Sequence, residues 1–391
     1  MDFSAFDRYL DFFYKEKNIP GLGCAVSLNG EIVHRHFAGL RDVERGIPFD
    51  EDTLVNLYSA TKISTVTAAM RLIEKGVLSL DAPASEYLPE LGRMTVRRED
   101  GSAAPAENVM LVRHLMSMTA GFSYDGTAEP VKRMLRETDG RPTTRQAVAA
   151  LAEVPLLFEP GTHFRYSFCH DVLAAVMEEA AGIPYPEILK RELFDPLGMD
   201  DTGFVLNAEQ RTRLAPEYHG FDGKTGRARA VIRREGVDMG MGPLYRSGGG
   251  GLISSVRDYA KLAAMLSCGG RAANGAQILS EESIRLLQTN QLGPDAMRDF
   301  DAMGGWSKAG YGYGLGVRTL LDPERNNSLS RKGEFGWDGA LGCYLLADPE
   351  TGVGIFYAQH EAGSPWYTWH GLIRNYAYAG IPGSELIRKA D

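Results

Sequence analysis

Ser59-Ala60-Thr61-Lys62 sets a hydroxyl and an amine three residues apart. On a helix that begins at Ser59 the two side chains share a face and can meet. A serine hydroxyl is a poor nucleophile until a neighbour takes its proton. A lysine does this only where burial or nearby positive charge lowers its pKa. A helix start also aims free backbone N–H groups outward, where they can stabilise a developing oxyanion. Alone, this spacing is common among surface residues of helices. Its setting carries the weight: it follows Thr53-Leu54-Val55-Asn56-Leu57-Tyr58, precedes an apolar helical stripe, and is followed by two further segments. The first is Glu159-Pro160-Gly161-Thr162-His163-Phe164-Arg165-Tyr166-Ser167, with Asp171-Val172-Leu173 after it; the second is Gly336-Trp337-Asp338-Gly339-Ala340-Leu341-Gly342.

This combination resembles the serine β-lactamase and penicillin-binding-protein superfamily, especially its class C branch and the related family VIII carboxylesterases. The resemblance covers nearly the whole chain. Leu115-Met116-Ser117-Met118-Thr119-Ala120-Gly121 looks like the branch's leucine-threonine-serine-glycine loop, and Gly248-Gly249-Gly250-Gly251-Leu252-Ile253-Ser254-Ser255 fits as well. Carried over by position, the resemblance implies that Ser59 forms an acyl-enzyme while Lys62 and Tyr166 handle its proton. The backbone N–H groups of Ser59 and Ala340 would form the oxyanion hole. A phenol with an ordinary pKa of ~10 is a poor base at neutral pH, so the lysine must either stabilise its phenolate or take the proton itself. The sequence leaves both routes open. Where the family usually has a lysine or histidine in its third motif, this chain has Trp337, followed by Asp338 and Gly339. The esterase branch often carries tryptophan there, which favours esters over β-lactams. Phe168 replaces the asparagine that contacts the substrate amide in the β-lactamases, and an apolar wall suits an acyl chain. Phe168, Trp337, Asp338 and Gly339 are thus expected at the substrate, with Tyr124 as a further pocket residue.

The elements that must position these groups can be read from periodicity. Phe3, Phe6, Leu10 and Phe13 have helical spacing. Gly21 to Leu28 and Glu31 to Phe37 are strand-like around Asn29-Gly30, the dipeptide best suited to a two-residue hairpin turn. A helix from Ser59 places Ile63, Val66, Met70 and Ile73 on one face before Gly76 ends it. From there to about residue 240 the pattern is helices and loops punctuated by prolines, with no convincing strand. A helix capped at Ser255 ends at Gly269-Gly270. Strands follow at Tyr313 to Leu320, Gly342 to Ala347 and Val353 to Gln359, then a helix from Trp366 to Ala379. The expectation is an α+β fold of the β-lactamase/transpeptidase-like kind: an antiparallel five-stranded sheet from both termini, flanked by helices, with a mostly helical insertion. Residues 1–75 with 245–391 form the sheet domain, 76–244 the helical one, and the site lies in the crevice between them.

Bulk properties exclude other classes. Of 391 residues, 44% are hydrophobic and 24% charged, as in ordinary globular proteins. A net charge of −9 argues against a nucleic-acid partner. The basic stretch Arg211, Arg213, Lys224, Arg227, Arg229, Arg233 and Arg234 reads as a solvated surface. The first residues carry no secretory pattern and no segment could span a bilayer, so a cytoplasmic enzyme is expected. Cys24, Cys169, Cys268 and Cys343 show no metal-ligand spacing and read as buried thiols. His34 and His36 share a strand face but lack complementary ligands, and His163 and His170 read as rim or packing residues. Gly312 to Gly316 lacks what a phosphate loop needs, and Gly121-Phe122-Ser123-Tyr124-Asp125-Gly126 has one residue too many for a nucleophile elbow. The reading is a metal-free, cofactor-free serine esterase acting on a small-molecule ester or amide. A β-lactamase or D-amino-acid-directed peptidase is the alternative enzyme, and a scaffold that keeps the fold is the alternative of another class. The sequence is silent on oligomeric state.

Overall fold

The computed structural model describes residues 1–303, 309–383 and 386. Its centre is an antiparallel sheet of eight strands drawn from both ends of the chain. Gly21–Leu28 lies between Glu31–Asp42 and Val353–Gln359. Beyond the latter come Tyr344–Asp348, Phe335–Asp338, Arg318–Leu320 and Tyr311–Tyr313, and Ile47–Pro48 closes the opposite edge. Asn29 and Gly30 both take positive φ, 49° and 86°, as the expected tight hairpin requires. Gly21–Leu28 then runs in register with the late strand, Leu22 opposite Gln359 and Leu28 opposite Val353.

Side-chain alternation sorts the layers. Leu22, Cys24, Val26, Ile355 and Tyr357 form one cluster with Phe6, Leu10 and Phe13 of helix Ser4–Glu16 and Ile373 and Ala377 of helix His370–Ala379. Ala25, Phe356 and Ala358 belong to the larger core on the other side, which includes helix Val256–Ser267. With both faces covered, the central strands read as near-continuous apolar runs.

The sheet is larger than the five strands expected. The segment Tyr313 to Leu320 breaks at Gly316, φ 86°, and contributes to two short strands instead of one. Phe335–Asp338, which the motif reading treated as a site segment, is itself a strand. Strands of two to four residues hold too few side chains to display a period. The middle of the chain also departs from expectation. It contains the hairpins Thr95–Arg97 with Ala103–Pro105 and Glu217–Asp222 with Arg227–Ile232, and the second pairs in parallel with Glu361–Ala362.

Two helices frame the site. Tyr58–Ala60 form a 3-10 turn, and the α-helix proper runs Thr61–Glu74, buried almost all round. It packs against Cys169–Ala181, another largely buried helix. The expected cap at Ser255 is present, its Oγ accepting the Asp258 N–H at 3.2 Å. In the basic stretch Arg211 pairs with Glu235, Arg213 with Asp201 and Glu209, Arg233 with Asp42 and Glu44, and Arg234 with Glu217. His34 and His36 face Asp7 and Asp11 of the first helix. No helix among the described residues is long and apolar enough to cross a membrane.

Candidate active site

Ser59 is half-buried at the turn that leads into helix Thr61–Glu74. The residue before it, Tyr58, has φ 47°, a left-handed conformation uncommon for a bulky side chain. Strain of this kind persists only where surrounding contacts impose it. One turn along, Lys62 is fully buried, and its Nζ lies 3.2 Å from Ser59 Oγ. The amine also donates to the Gly249 carbonyl at 2.6 Å and to the Tyr124 hydroxyl at 3.1 Å. Burial lowers its pKa from 10.5 to about 7, partly opposed by the negative charge of Asp171. A neutral amine beside the hydroxyl is therefore accessible near neutral pH.

Asp171 sits in the helix behind the lysine, fully buried. Its Oδ1 accepts the Ser247 hydroxyl at 2.6 Å and the Tyr245 hydroxyl at 2.7 Å. Burial raises its pKa, while these bonds pull the other way. A Cβ on Gly249 would lie 2.7 Å from Asp171 Oδ2 and 3.3 Å from Lys62 Nζ, so only glycine lets backbone pass between the two charged groups. The four-glycine run from Gly248 thus supplies the lysine's carbonyl partner.

Tyr166 closes the other side. Its hydroxyl shares a hydrogen bond with Ser59 and accepts the Trp337 indole N–H at 3.0 Å. Burial pushes the phenol well above its ordinary pKa, with these two bonds opposing. Lys62 Nζ lies over the ring, 4.5 Å from its centroid. Trp337 is fully buried, stacked on Tyr166 at 5.5 Å and touched edge-on by Tyr313 at 5.2 Å. The indole therefore holds the tyrosine from behind.

Strand alternation sends Asp338 the opposite way. Its carboxylate takes Arg318 Nη1 at 3.0 Å and lies 3.5 Å from His370 Nδ1, on a cavity of ≈ 180 Å³ separate from Ser59. In this geometry the Asp338 side chain, expected at the substrate, pairs with buried Arg318. Gly339 is needed where it stands, because a Cβ there would fall 2.3 Å from the Leu57 carbonyl. That close approach brings the Ala340 end of the strand beside the Ser59 turn.

Tyr124, Tyr166, Phe164, Arg165, Asp299, Ala302 and Met303 line a cavity of ≈ 530 Å³. Phe168, expected as a pocket wall, is 2% exposed and packs edge-on against Tyr124 at 4.7 Å, so it backs the wall without forming it. His163 pairs with Asp299 on the rim, and His170 is buried with Nε2 3.1 Å from the Met116 carbonyl. Among the described residues, no group of three or more His, Cys, Asp or Glu is placed to hold a metal ion.

Sequence reasoning missed Glu217, Asn56, Tyr245 and Ser247. The last two adjoin the glycine run, and Asp171 lies in a quoted segment, so their neighbourhood was visible. Asn56 lies in the quoted run before Ser59, but its pairing with Glu217 gave no signal, because the two meet only through the fold.

A family model described as Beta-lactamase matches residues 6–371. The chain is 30% identical to Esterase EstB of Burkholderia gladioli over 98% of this chain and 93% of that protein. It is 28% identical to Lovastatin esterase of Penicillium rubens, over 86% and 88% of the two chains. Among solved structures it is similar to EstCE1, described as a hydrolase with promiscuous acyltransferase activity. The TM-score is 0.78 at 26% identity, covering 96% of this chain and 98% of that one.

Proposed function

The chain belongs to the Beta-lactamase family, and from that premise we propose that it is a serine hydrolase that cleaves carboxylic esters of short or medium acyl chain through an acyl-enzyme on Ser59. The observation that carries this reading is Lys62 Nζ 3.2 Å from Ser59 Oγ, in a burial that brings the amine to about 7. In the proposed cycle Ser59 Oγ attacks the ester carbonyl as its proton passes to Lys62. The backbone N–H groups of Ser59 and Ala340 receive the oxyanion. Collapse breaks the bond to the alcohol oxygen, which takes the proton from Lys62 by way of Tyr166. Water then attacks the acyl-enzyme, giving a proton to Lys62, and Ser59 recovers it as the acid leaves. Tyr166 is the relay and not the resting base, because burial keeps its phenol protonated.

The substrate sits in the crevice between segments 1–75 with 245–391 and the helical segment 76–244. Tyr124 and the apolar side chains of the ≈ 530 Å³ cavity support an acyl chain there. Trp337, in place of a cation, supports ester over β-lactam turnover. Transfer of the acyl group to another alcohol is a second outcome of the same intermediate, favoured by the similarity to EstCE1. The unpaired thiols of Cys24, Cys169, Cys268 and Cys343 suit the reducing cytoplasm we assign to it.

The test is parallel turnover of p-nitrophenyl acetate, p-nitrophenyl butyrate and a chromogenic cephalosporin by wild type and Ser59→Ala. Ester cleavage that falls roughly a thousandfold or more in the variant, with little cephalosporin opening, is the expected result. Efficient cephalosporin opening overturns the ester assignment in favour of a β-lactamase.

A further inference from the structure

Tyr58, the residue strained to φ 47° just before Ser59, is tethered through its side chain. Its hydroxyl donates to Glu217, with Oε1 at 3.1 Å and Oε2 at 3.0 Å. Glu217 is 1% exposed and opens the strand Glu217–Asp222, far away in sequence. Its Oε1 also accepts from Asn56 Nδ2 at 2.8 Å, and Arg234 Nε lies 3.1 Å from Oε2. Asn56 is bound at two more points to the segment that follows the hairpin. Its Oδ1 accepts the Gly236 N–H at 3.0 Å, and its Nδ2 reaches the Arg234 carbonyl at 3.3 Å. A buried carboxylate thus ties together Tyr58, Asn56 three positions before Ser59, and the Arg234 side chain just beyond the hairpin.

We propose that Glu217 is a positioning residue for Ser59: by holding the Tyr58 hydroxyl it keeps the 57–60 turn in the strained form that aims Ser59 Oγ at Lys62. The inference rests on the reading of Ser59 as nucleophile. Glu217 touches neither substrate nor Ser59 and acts only through Tyr58 and Asn56. A nucleophile misplaced by about an ångström loses on the order of a hundredfold in rate. The tether is therefore read in turnover and not in substrate affinity.

The experiment uses the full chain and the variants Tyr58→Phe, Glu217→Gln, Glu217→Ala, the double variant Tyr58→Phe with Glu217→Ala, and Ser59→Ala. It measures kcat and KM on p-nitrophenyl butyrate, the rate of fluorophosphonate labelling, and the thermal unfolding midpoint. Tyr58→Phe keeps the ring and removes only the donor. It should lower kcat and labelling roughly 10- to 100-fold, with KM within about twofold and the midpoint nearly unchanged. Glu217→Gln retains an acceptor and should recover most of the rate. The double variant should lose no more than Tyr58→Phe alone, since both remove one tether. Wild-type kcat in Tyr58→Phe, or a loss in Glu217→Ala that merely follows its unfolding midpoint, overturns the inference while leaving the nucleophile reading intact. Full turnover by Ser59→Ala overturns both.

Discussion

Lys62 is where burial becomes chemistry. Only its neutral form can accept the Ser59 proton, and its pKa of about 7 lies far below that of a solvated lysine. The reactive fraction therefore grows as pH rises through about 7, and log kcat/KM should climb across that limb and level off above it. Negative charge on Asp171 favours the protonated lysine, so Asp171→Asn should lower the lysine pKa and move the limb to lower pH. The asparagine Oδ1 can still accept from Ser247 and Tyr245. A pH–rate profile of wild type and variant decides it, and a limb that stays in place in Asp171→Asn contradicts the coupling. At this scale the sequence was informative wherever chemistry fixes residue type and spacing, as for Ser59, Lys62, Tyr166 and Trp337. It was uninformative about which way a side chain points. Asp338 and Phe168 sit within the expected segments yet turn to Arg318 and behind Tyr124.

Between elements, the decisive contact is backbone against backbone. The strand Phe335–Asp338 runs into Gly339, whose missing side chain lets it approach the Leu57 carbonyl of the Ser59 turn. Gly339→Ala would put a methyl 2.3 Å from that oxygen, so one of the two backbones must shift. The strand end should be pushed away, displacing the Ala340 N–H from the oxyanion-hole place proposed for it beside Ser59. We expect kcat to fall about a hundredfold or more, the loss typical of an oxyanion donor, together with a lower unfolding midpoint. Kinetics and calorimetry on the one variant check both, and unchanged kcat would count against Ala340 as a donor. Helices with a one-sided stripe, such as Ser4–Glu16, and the Asn29-Gly30 hairpin were legible because each repeats a period or needs a special turn. The short strands Tyr311–Tyr313, Arg318–Leu320 and Ile47–Pro48 were not, since their pairing comes from neighbours already in place.

For the molecule as a whole, the two chain ends cover one face of the sheet whose other face supports the site. Phe6, Leu10 and Phe13 of the first helix are buried to 1% exposure or less. Each contributes about 1.5–3 kcal/mol. Together they rival the total stability of a typical domain, about 5–15 kcal/mol. A chain lacking residues 1–17 should therefore lose its cooperative unfolding transition and its activity, although Ser59 is untouched. Circular dichroism on heating tests this, and an unchanged midpoint refutes the layer account. That both termini build one sheet was readable from the order of strand-like runs, and the helix packing over it followed from their apolar character. The central claim concerns a bond to one oxygen atom, and intact-protein mass spectrometry after fluorophosphonate treatment tests it most directly. A single adduct mapped to Ser59, absent in Ser59→Ala and forming faster as pH rises through about 7, is the predicted result. An adduct on another residue, or ester turnover that persists in Ser59→Ala, would contradict it.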